Sequence, residues 1–370
     1  MNKMGFGFLR LPGADPKTGE GIDFALLDRM VDDFLARGGR YFDTARPYLA
    51  GRSEEAIRRC LVERHPRDSF HLANKITGWV AKTAKDCDPF FHAQLEACGV
   101  DWFDTYLIHS LNGEYYDLAQ KAGHFDFLRR KKEAGQARRI GFSFHGDAVL
   151  LDRILTEQPD VDVVQLQINY LDWESKGIQS RRCYEVARSR GKPIVVMEPV
   201  KGGNLAKVPD HVAALLAEAA PGRSPASWAV RFAQSLEGVE TVLSGMNSLS
   251  QIADNLAPVE PLTDEELGTL STAAAMIRAE KTIGCTGCGY CLAKCPKDIP
   301  IPQYFALFNE YKANPKDLWR MHSGYLRYTE DKGRAAECIG CGACQHACPQ
   351  HLPIPDHMKE VSAVFDREDI

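Results

Sequence analysis

The 370-residue chain has no run approaching the roughly 20 apolar residues that a membrane-crossing helix needs. Its start, MNKMGFGFLRLPG, has no extended apolar segment followed by a cleavage site. Both absences point to a cytoplasmic protein with no membrane partner. The chain also lacks a strong excess of either charge, with 45 Lys and Arg against 50 Asp and Glu for a formal net charge of -5. The RRKK run at 129–132 is too short and isolated to make a nucleic-acid footprint and reads as a solvated face. Cysteine is sparse over the first 280 residues, where Cys60, Cys87, Cys98 and Cys183 lie far apart. They read as small apolar fillers, because a hydrophobic fraction of 44% can build a core without disulfide staples.

The other eight of the twelve cysteines crowd into 285–348. They read Cys285-x2-Cys288-x2-Cys291-x3-Cys295-Pro296 and Cys338-x2-Cys341-x2-Cys344-x3-Cys348-Pro349. The two-residue spacers contain Gly287, Gly289, Gly340 and Gly342, which let the chain wrap a compact cuboidal cluster. This spacing resembles that of two-cluster bacterial ferredoxins and implies two [4Fe–4S] clusters. In that pattern the fourth cysteine of each run serves the other cluster. One set is then Cys285, Cys288, Cys291 and Cys348, and the other is Cys338, Cys341, Cys344 and Cys295. Zinc is the competing ligand for four thiolates, but zinc knuckles pair two separated Cys-x2-Cys units rather than repeating a triple run. The 42 residues between the runs include IPQYFALFNEY and LWRMHSGYLRY, which are expected to form helices covering the clusters. The module is therefore expected to be small and mainly helical.

Ahead of it, short β-rich apolar runs alternate with helical patterns. Strands are expected at 4–9, 40–44, 70–74, 104–109, 139–143, 162–168, 193–198 and 240–244, a number and spacing that fit an α/β protein of the (β/α)8 TIM-barrel class. Leu27, Met30, Val31, Phe34 and Leu35 recur at the helical period, with Gly38-Gly39 as a stop. Ser224-Pro225 reads as a cap and first-turn pair, and Thr263 with Glu266 as a capping box. The expected organisation is a barrel over 1–262, a connecting helix over 263–282 and a ferredoxin-like domain over 283–370. Gly13 to Gly21 should be a surface loop.

Chemistry in such a barrel sits at the C-terminal ends of the strands. Strand 2 ends near Asp43 and is followed by Tyr48, strand 3 ends in Asn74-Lys75, and strand 4 ends in Ile108-His109-Ser110. A tyrosine hydroxyl titrating near its ordinary value of about 10 is a poor proton donor at neutral pH. A neighbouring ammonium lowers that value, and a carboxylate can hold the ammonium in place while a histidine orients a carbonyl oxygen.

With these residues in view, FDTARPYLAGRSEEAIRRCL, ANK, DTYLIHS, IGFSFHG, VVQLQINY, VMEPVKGG and VLSGMNSLSQIADNL resemble the corresponding segments of the aldo/keto reductase superfamily over nearly all of 1–260. The resemblance implies catalytic roles for Asp43, Tyr48, Lys75 and His109, with Tyr48 as proton donor during hydride transfer from NADP or NAD. It also implies nicotinamide contacts at Ser143 and Gln167. A phosphate-binding stretch follows from Ser244 and Gly245 through Met246, Asn247 and Gln251 to Asn255, with Lys201 and Gly202 facing a pyrophosphate. The family pattern frays where a Lys-Ser pair and an Arg would hold an adenosine 2'-phosphate: Met246-Asn247 and Gln251 stand there, so no preference between NADH and NADPH is expected. Phe144 replaces an asparagine after Ser143, and Met197 stands where an aromatic would stack. His145 is open to a substrate contact or to bonding within its loop, and Trp79 to forming a pocket wall or simply packing.

A nicotinamide gives two electrons as hydride, whereas a [4Fe–4S] cluster passes one at a time. The leading expectation is a redox enzyme acting on a carbonyl or hydroxyl of a small-molecule substrate, with clusters that are structural or wired to a one-electron carrier protein. A flavin at the barrel mouth remains open. The alternatives are an electron-transfer protein using the barrel as a docking module, and a lyase or isomerase using the Tyr48/Lys75 pair.

Overall fold

A computed structural model describes residues 3–258, 260–279, 283–313, 315 and 318–367. Eight parallel strands close into a barrel in sequence order: β1 (Met4–Gly7), β2 (Tyr41–Asp43), β3 (His71–Ile76), β4 (Phe103–Leu111), β5 (Ala137–Phe144), β6 (Val163–Gln167), β7 (Ile194–Met197) and β8 (Val239–Ser244). Every expected strand is present, and β1 pairs with β8 to complete the ring. The helix Phe24–Ala36 buries Leu27, Met30, Val31 and Phe34. Ser224 accepts the Ser227 N–H at the start of the helix Pro225–Ser235. Thr263 and Glu266 exchange side-chain and backbone bonds of 3.0 and 3.2 Å at the start of the helix Asp264–Ala279. Residues 280–282, the end of the expected connecting helix, lie outside the described residues.

The barrel closes because two strands give way to the other six. Tyr41, Ala73, Leu107, Val163, Val195 and Leu243 come from six different strands and form one buried apolar cluster. The remaining two, β1 and β5, supply Gly5 and Gly141. A Cβ on Gly5 would meet the tip of Leu243 at 2.6 Å, and one on Gly141 would lie 2.0 Å from the Val163 carbonyl oxygen.

The chain divides into two compact units. The first holds the barrel: residues up to Val200 together with Ala214–Ser271. The second combines Lys201–Ala213 with residues from Thr272 onward. In the second unit the helices Ile301–Ala313, Leu318–Tyr328 and Ile354–Phe365 pack Tyr304, Phe305, Phe308, Tyr325, Val361 and Phe365 into a separate core. Lys201–Ala213 follows β7 in sequence yet folds with this second unit. Among the described residues no helix is long and apolar enough to cross a membrane.

The RRKK run is less solvated than its charge suggests. It lies on the helix His124–Glu133, and Lys131 is buried, paired to Asp88 at 2.6 Å and set over the Phe91 and Phe127 rings. Cys60, Cys87, Cys98 and Cys183 are buried, and burial pushes every one of their thiols up.

The two glycines give a graded test. Gly141→Ala forces a backbone shift and should cost about 3 kcal/mol or more, whereas Gly5→Ala displaces only a flexible side-chain tip and should cost about 1 kcal/mol. Urea denaturation midpoints measure both, and equal losses would contradict the close approach of β5 to β6.

Candidate active site and cluster sites

β2 and β3 are adjacent parallel strands, so side chains near their C-terminal ends can meet at the barrel mouth. Lys75, with no exposed surface, donates to Asp43 Oδ1 at 2.7 Å and to the Thr44 carbonyl at 2.9 Å. Burial pushes the lysine below its ordinary range and the aspartate above its own, and each charge holds the other back. Tyr48 lies over this pair, with the Lys75 nitrogen 4.9 Å from its ring centroid. His109 meets the Tyr48 ring edge-on at 5.7 Å. The four residues implied by the sequence resemblance are thus brought together.

The local backbone explains how Tyr48 is held. Leu49 and Ala50 adopt left-handed conformations (φ 52° and 54°), followed by Gly51 at 93°. Two side-chain-bearing residues in succession in that region are strained and persist only where surrounding contacts impose them. Here the following helix, Arg52–Ile57, is tied down at once: Ser53 Oγ donates to the Phe8 carbonyl at 2.9 Å and lies 2.7 Å from Thr44 Oγ1. Strain recurs at Ser110 (φ 57°), whose N–H donates to Ser143 Oγ at 2.7 Å and so ties the end of β4 to β5.

Behind Lys75 runs a buried polar network that the sequence does not announce. Glu54 Oε1 accepts from Asn74 Nδ2 at 2.9 Å and Gln94 Nε2 at 2.8 Å, while Arg46 holds Oε2 at 2.7 Å. Asn74 Oδ1 accepts the Lys75 N–H, Gln94 Nε2 reaches the Lys75 carbonyl at 3.1 Å, and Tyr106 donates to Gln94 Oε1 at 2.6 Å. Both peptide groups of the lysine are therefore gripped by side chains. Glu54 belongs to the Ser-Glu segment, but Gln94 and Tyr106 come from distant positions and carry no motif.

His109 is buried and its Nδ1 has no hydrogen-bond partner among the described residues. Desolvation, reinforced by the charges of Lys75 and His145, holds its pKa well below 6.5. The imidazole is therefore neutral at neutral pH. The Trp79 ring lies tilted at 5.3 Å from His109 and 5.1 Å from Tyr115, making an aromatic wall; Tyr115 carried no sequence signal.

Of the residues implied as cofactor contacts, Ser143 accepts from Ser110, and Gln167 lies 3.4 Å from Asp172 Oδ2. Asn255 donates to Ser244 Oγ at 3.0 Å, Met246 is buried, and Gln251 Oε1 accepts the Asn247 N–H at 2.7 Å. A Cβ on Gly245 would meet the aliphatic stem of Arg10 at 3.5 Å, so this side chain packs beside the stretch. Lys201 and Gly202 pack within the second unit: Lys201 donates to Gln350 Oε1 at 2.8 Å, and a Cβ on Gly202 would lie 2.3 Å from the Thr286 carbonyl oxygen. A nicotinamide suits the barrel mouth, because Ser110 Oγ and His109 Nδ1 are buried there with bonding capacity unused among the described residues.

In the second unit Cys285, Cys288, Cys291 and Cys348 line one cavity, and Cys295, Cys338, Cys341 and Cys344 line another. Gly287, Gly289, Gly340 and Gly342 all have positive φ, between 67° and 79°, as a chain curling around a central group requires. The Gly287 and Ile299 N–H groups approach Cys285 and Cys295 Sγ at 3.4 and 3.5 Å, the kind of donor that stabilises a thiolate bound to iron. Burial raises the Cys291 thiol, and after burial its largest charge effects come from Cys288, Cys285 and Cys348. Among the described residues no three Cys, His, Asp or Glu side chains converge closely enough for a single metal ion.

Residues 3–275 match the family described as "Aldo/keto reductase family", and 284–353 match the "4Fe-4S dicluster domain". Among solved structures, an aldo-keto reductase from Bacillus halodurans in its holo form is 22% identical, with TM-score 0.60 over 73% of this chain and 91% of that one. An aldo/keto reductase from Klebsiella pneumoniae in complex with NADP and acetate is 19% identical, with TM-score 0.60 over 73% and 90%. One from Brucella melitensis is 18% identical, with TM-score 0.57 over 73% and 94%. At these identities the likeness shows the fold alone. Comparison with curated proteins gives no match.

The neutrality of His109 has a sign. A histidine with a depressed folded pKa binds a proton on unfolding, so its contribution is complete above about 6.5 and is lost as pH falls below that value. Stability should decline between pH 6.5 and 5 by up to about 1.4 kcal/mol per unit for this proton, and His109→Gln should flatten the decline. Denaturant titrations at several pH values measure it; an unchanged slope would place the His109 ring in solvent.

Proposed function

Because this chain belongs to the aldo/keto reductase family and carries a 4Fe–4S dicluster domain, we propose that it interconverts a carbonyl and an alcohol on a small-molecule substrate, with NADP or NAD as hydride carrier. The observation that carries this reading is the convergence of Asp43, Tyr48, Lys75 and His109 at the mouth of one barrel. The Klebsiella relative, in complex with NADP, supports the cofactor class.

A bound nicotinamide supplies the hydride. Ser143 and Gln167 would hold its carboxamide, and the stretch from Ser244 to Asn255 its phosphates and adenosine, with Met246, Asn247 and Gln251 giving no strong preference for NADPH. Everything else falls to the protein. Lys75, fixed by Asp43 and Thr44, favours the phenolate of Tyr48, so that the Tyr48 hydroxyl gives its proton to the substrate oxygen as negative charge grows there. Neutral His109 orients that oxygen by a hydrogen bond without competing as an acid. Trp79 and Tyr115 exclude water from this face.

Two [4Fe–4S] clusters are assigned to Cys285, Cys288, Cys291 and Cys348, and to Cys338, Cys341, Cys344 and Cys295, in a domain spanning 283–370 after a barrel over 1–262 and a connection over 263–282. They pass single electrons, which makes a one-electron carrier protein the second partner. A cytoplasmic location is supported by cysteines that are all unbridged among the described residues.

Anaerobically purified protein tests the proposal. Tyr48→Phe should lower kcat for reduction of para-nitrobenzaldehyde by about 10²–10⁴ while leaving NADPH affinity unchanged. Undiminished turnover would remove Tyr48 from the chemistry. A protein that binds no nicotinamide would instead favour the lyase, isomerase or docking-module alternatives, and a flavin would show in the absorption spectrum. Cys341→Ser should lose about half of the bound iron, because each set of four thiolates holds its own cluster; full retention would contradict the ligand assignment.

A further inference from the structure

The two cysteine cavities are unequal. None of the four cysteines around the first is exposed, and Thr286 and Gln350 in its lining are buried. In the second, Cys341 is exposed, and Ile339 beside it is 62% exposed. A large apolar side chain standing in water next to an exposed cluster ligand needs an account, since a lone solvated isoleucine contributes nothing to this core.

The charges around it give one. The lining of the second cavity contains two charged side chains, Lys294 and Lys297, and no carboxylate. Both lysines are exposed, and neither has an ion-pair partner among the described residues. Of the nearby acids, Asp298 is paired with Lys332 at 2.7 Å and Asp356 with Lys359 at 2.8 Å, while Glu337, exposed just before Cys338, lies outside the lining of the cavity. On a chain with a net charge of -5, this is a local positive rim around an apolar centre.

We propose that this rim is the docking surface for an acidic one-electron carrier protein, which exchanges electrons with the cluster held by Cys295, Cys338, Cys341 and Cys344. The inference rests on the assignment of that cluster above. Ile339 supplies the desolvated centre of the contact, and Lys294 and Lys297 steer the acidic face of the carrier onto it. The step moves one electron: the reduced carrier is oxidised by one, the cluster is reduced by one, and no proton or bond is transferred. The first cluster, with no exposed ligand, is not the entry point.

An acidic plant-type [2Fe–2S] ferredoxin is the probe and a basic c-type cytochrome the control. Calorimetric titration of cluster-loaded protein at low ionic strength should show ferredoxin binding that weakens with salt. It should weaken about tenfold or more in Lys294→Glu/Lys297→Glu, and Ile339→Ser should weaken it at any salt. Iron and sulfide content accompanies each sample, and Lys294→Gln/Lys297→Gln replaces the charge reversal if that variant loads clusters poorly. Unchanged affinity in the lysine variants, salt-independent binding, or preference for the cytochrome would overturn the surface. So would a shift of cluster reduction potential with no change in affinity, because the lysines would then only tune the cluster. Wild-type protein without clusters would sink the cluster assignment itself, a different signature from loaded protein that ignores the carrier.

Discussion

An ammonium group with no exposed surface is the constraint around which the barrel mouth is built. Removing Lys75 from water is costly, and Asp43 offsets the cost only because the geometry is close and the Thr44 carbonyl accepts a second hydrogen bond from the ammonium. Deleting either partner of such a pair leaves the other charged and buried, at a cost of about 3–5 kcal/mol. The pair is therefore a poor way to gain stability and a good way to keep a positive charge beneath a phenol. Its presence makes chemical sense of Tyr48 above it and of a neutral His109 beside it.

The surroundings follow from holding that charge still. Asn74 and Gln94 grip the peptide groups on both sides of Lys75, Glu54 accepts from both of them, and Tyr106 closes the network. On the other side, Leu49 and Ala50 accept a strained conformation so that Tyr48 can enter the site from a tight turn. Such strain survives because Ser53 anchors the next helix to the residues that directly follow β1 and β2. The barrel's rigidity is concentrated at one place, the turn that presents Tyr48 beside Lys75.

Most of this was legible where it was local. All eight strands show in short apolar runs, the caps at Ser224 and Thr263 in residue pairs three apart or fewer, and the four residues that meet at the barrel mouth in their placement at or just after strand ends. The long-range features were not. Gln94 and Tyr106 join Glu54 only through folding, Arg10 reaches Gly245 from the opposite end of the barrel sequence, and Lys131 is buried against Phe127, one turn earlier on its own helix, and against Phe91, which no spacing rule connects to it. Lys201 and Gly202 read as a pyrophosphate turn because they follow a strand, yet Lys201 donates to Gln350 and Gly202 packs closely against Thr286, both in the cluster unit. The unequal exposure of the two cluster sites was likewise invisible, since the two cysteine runs have identical spacing.

The same chain thus carries a site suited to two-electron hydride chemistry and a domain suited to single electrons. The first depends on the Asp43–Lys75 pair, and a double-mutant cycle on carbonyl reduction tests that dependence most directly. If the carboxylate acts only by anchoring the ammonium, the rate of Asp43→Asn/Lys75→Met will match that of Lys75→Met alone. Independent, multiplicative losses from the two substitutions would contradict it.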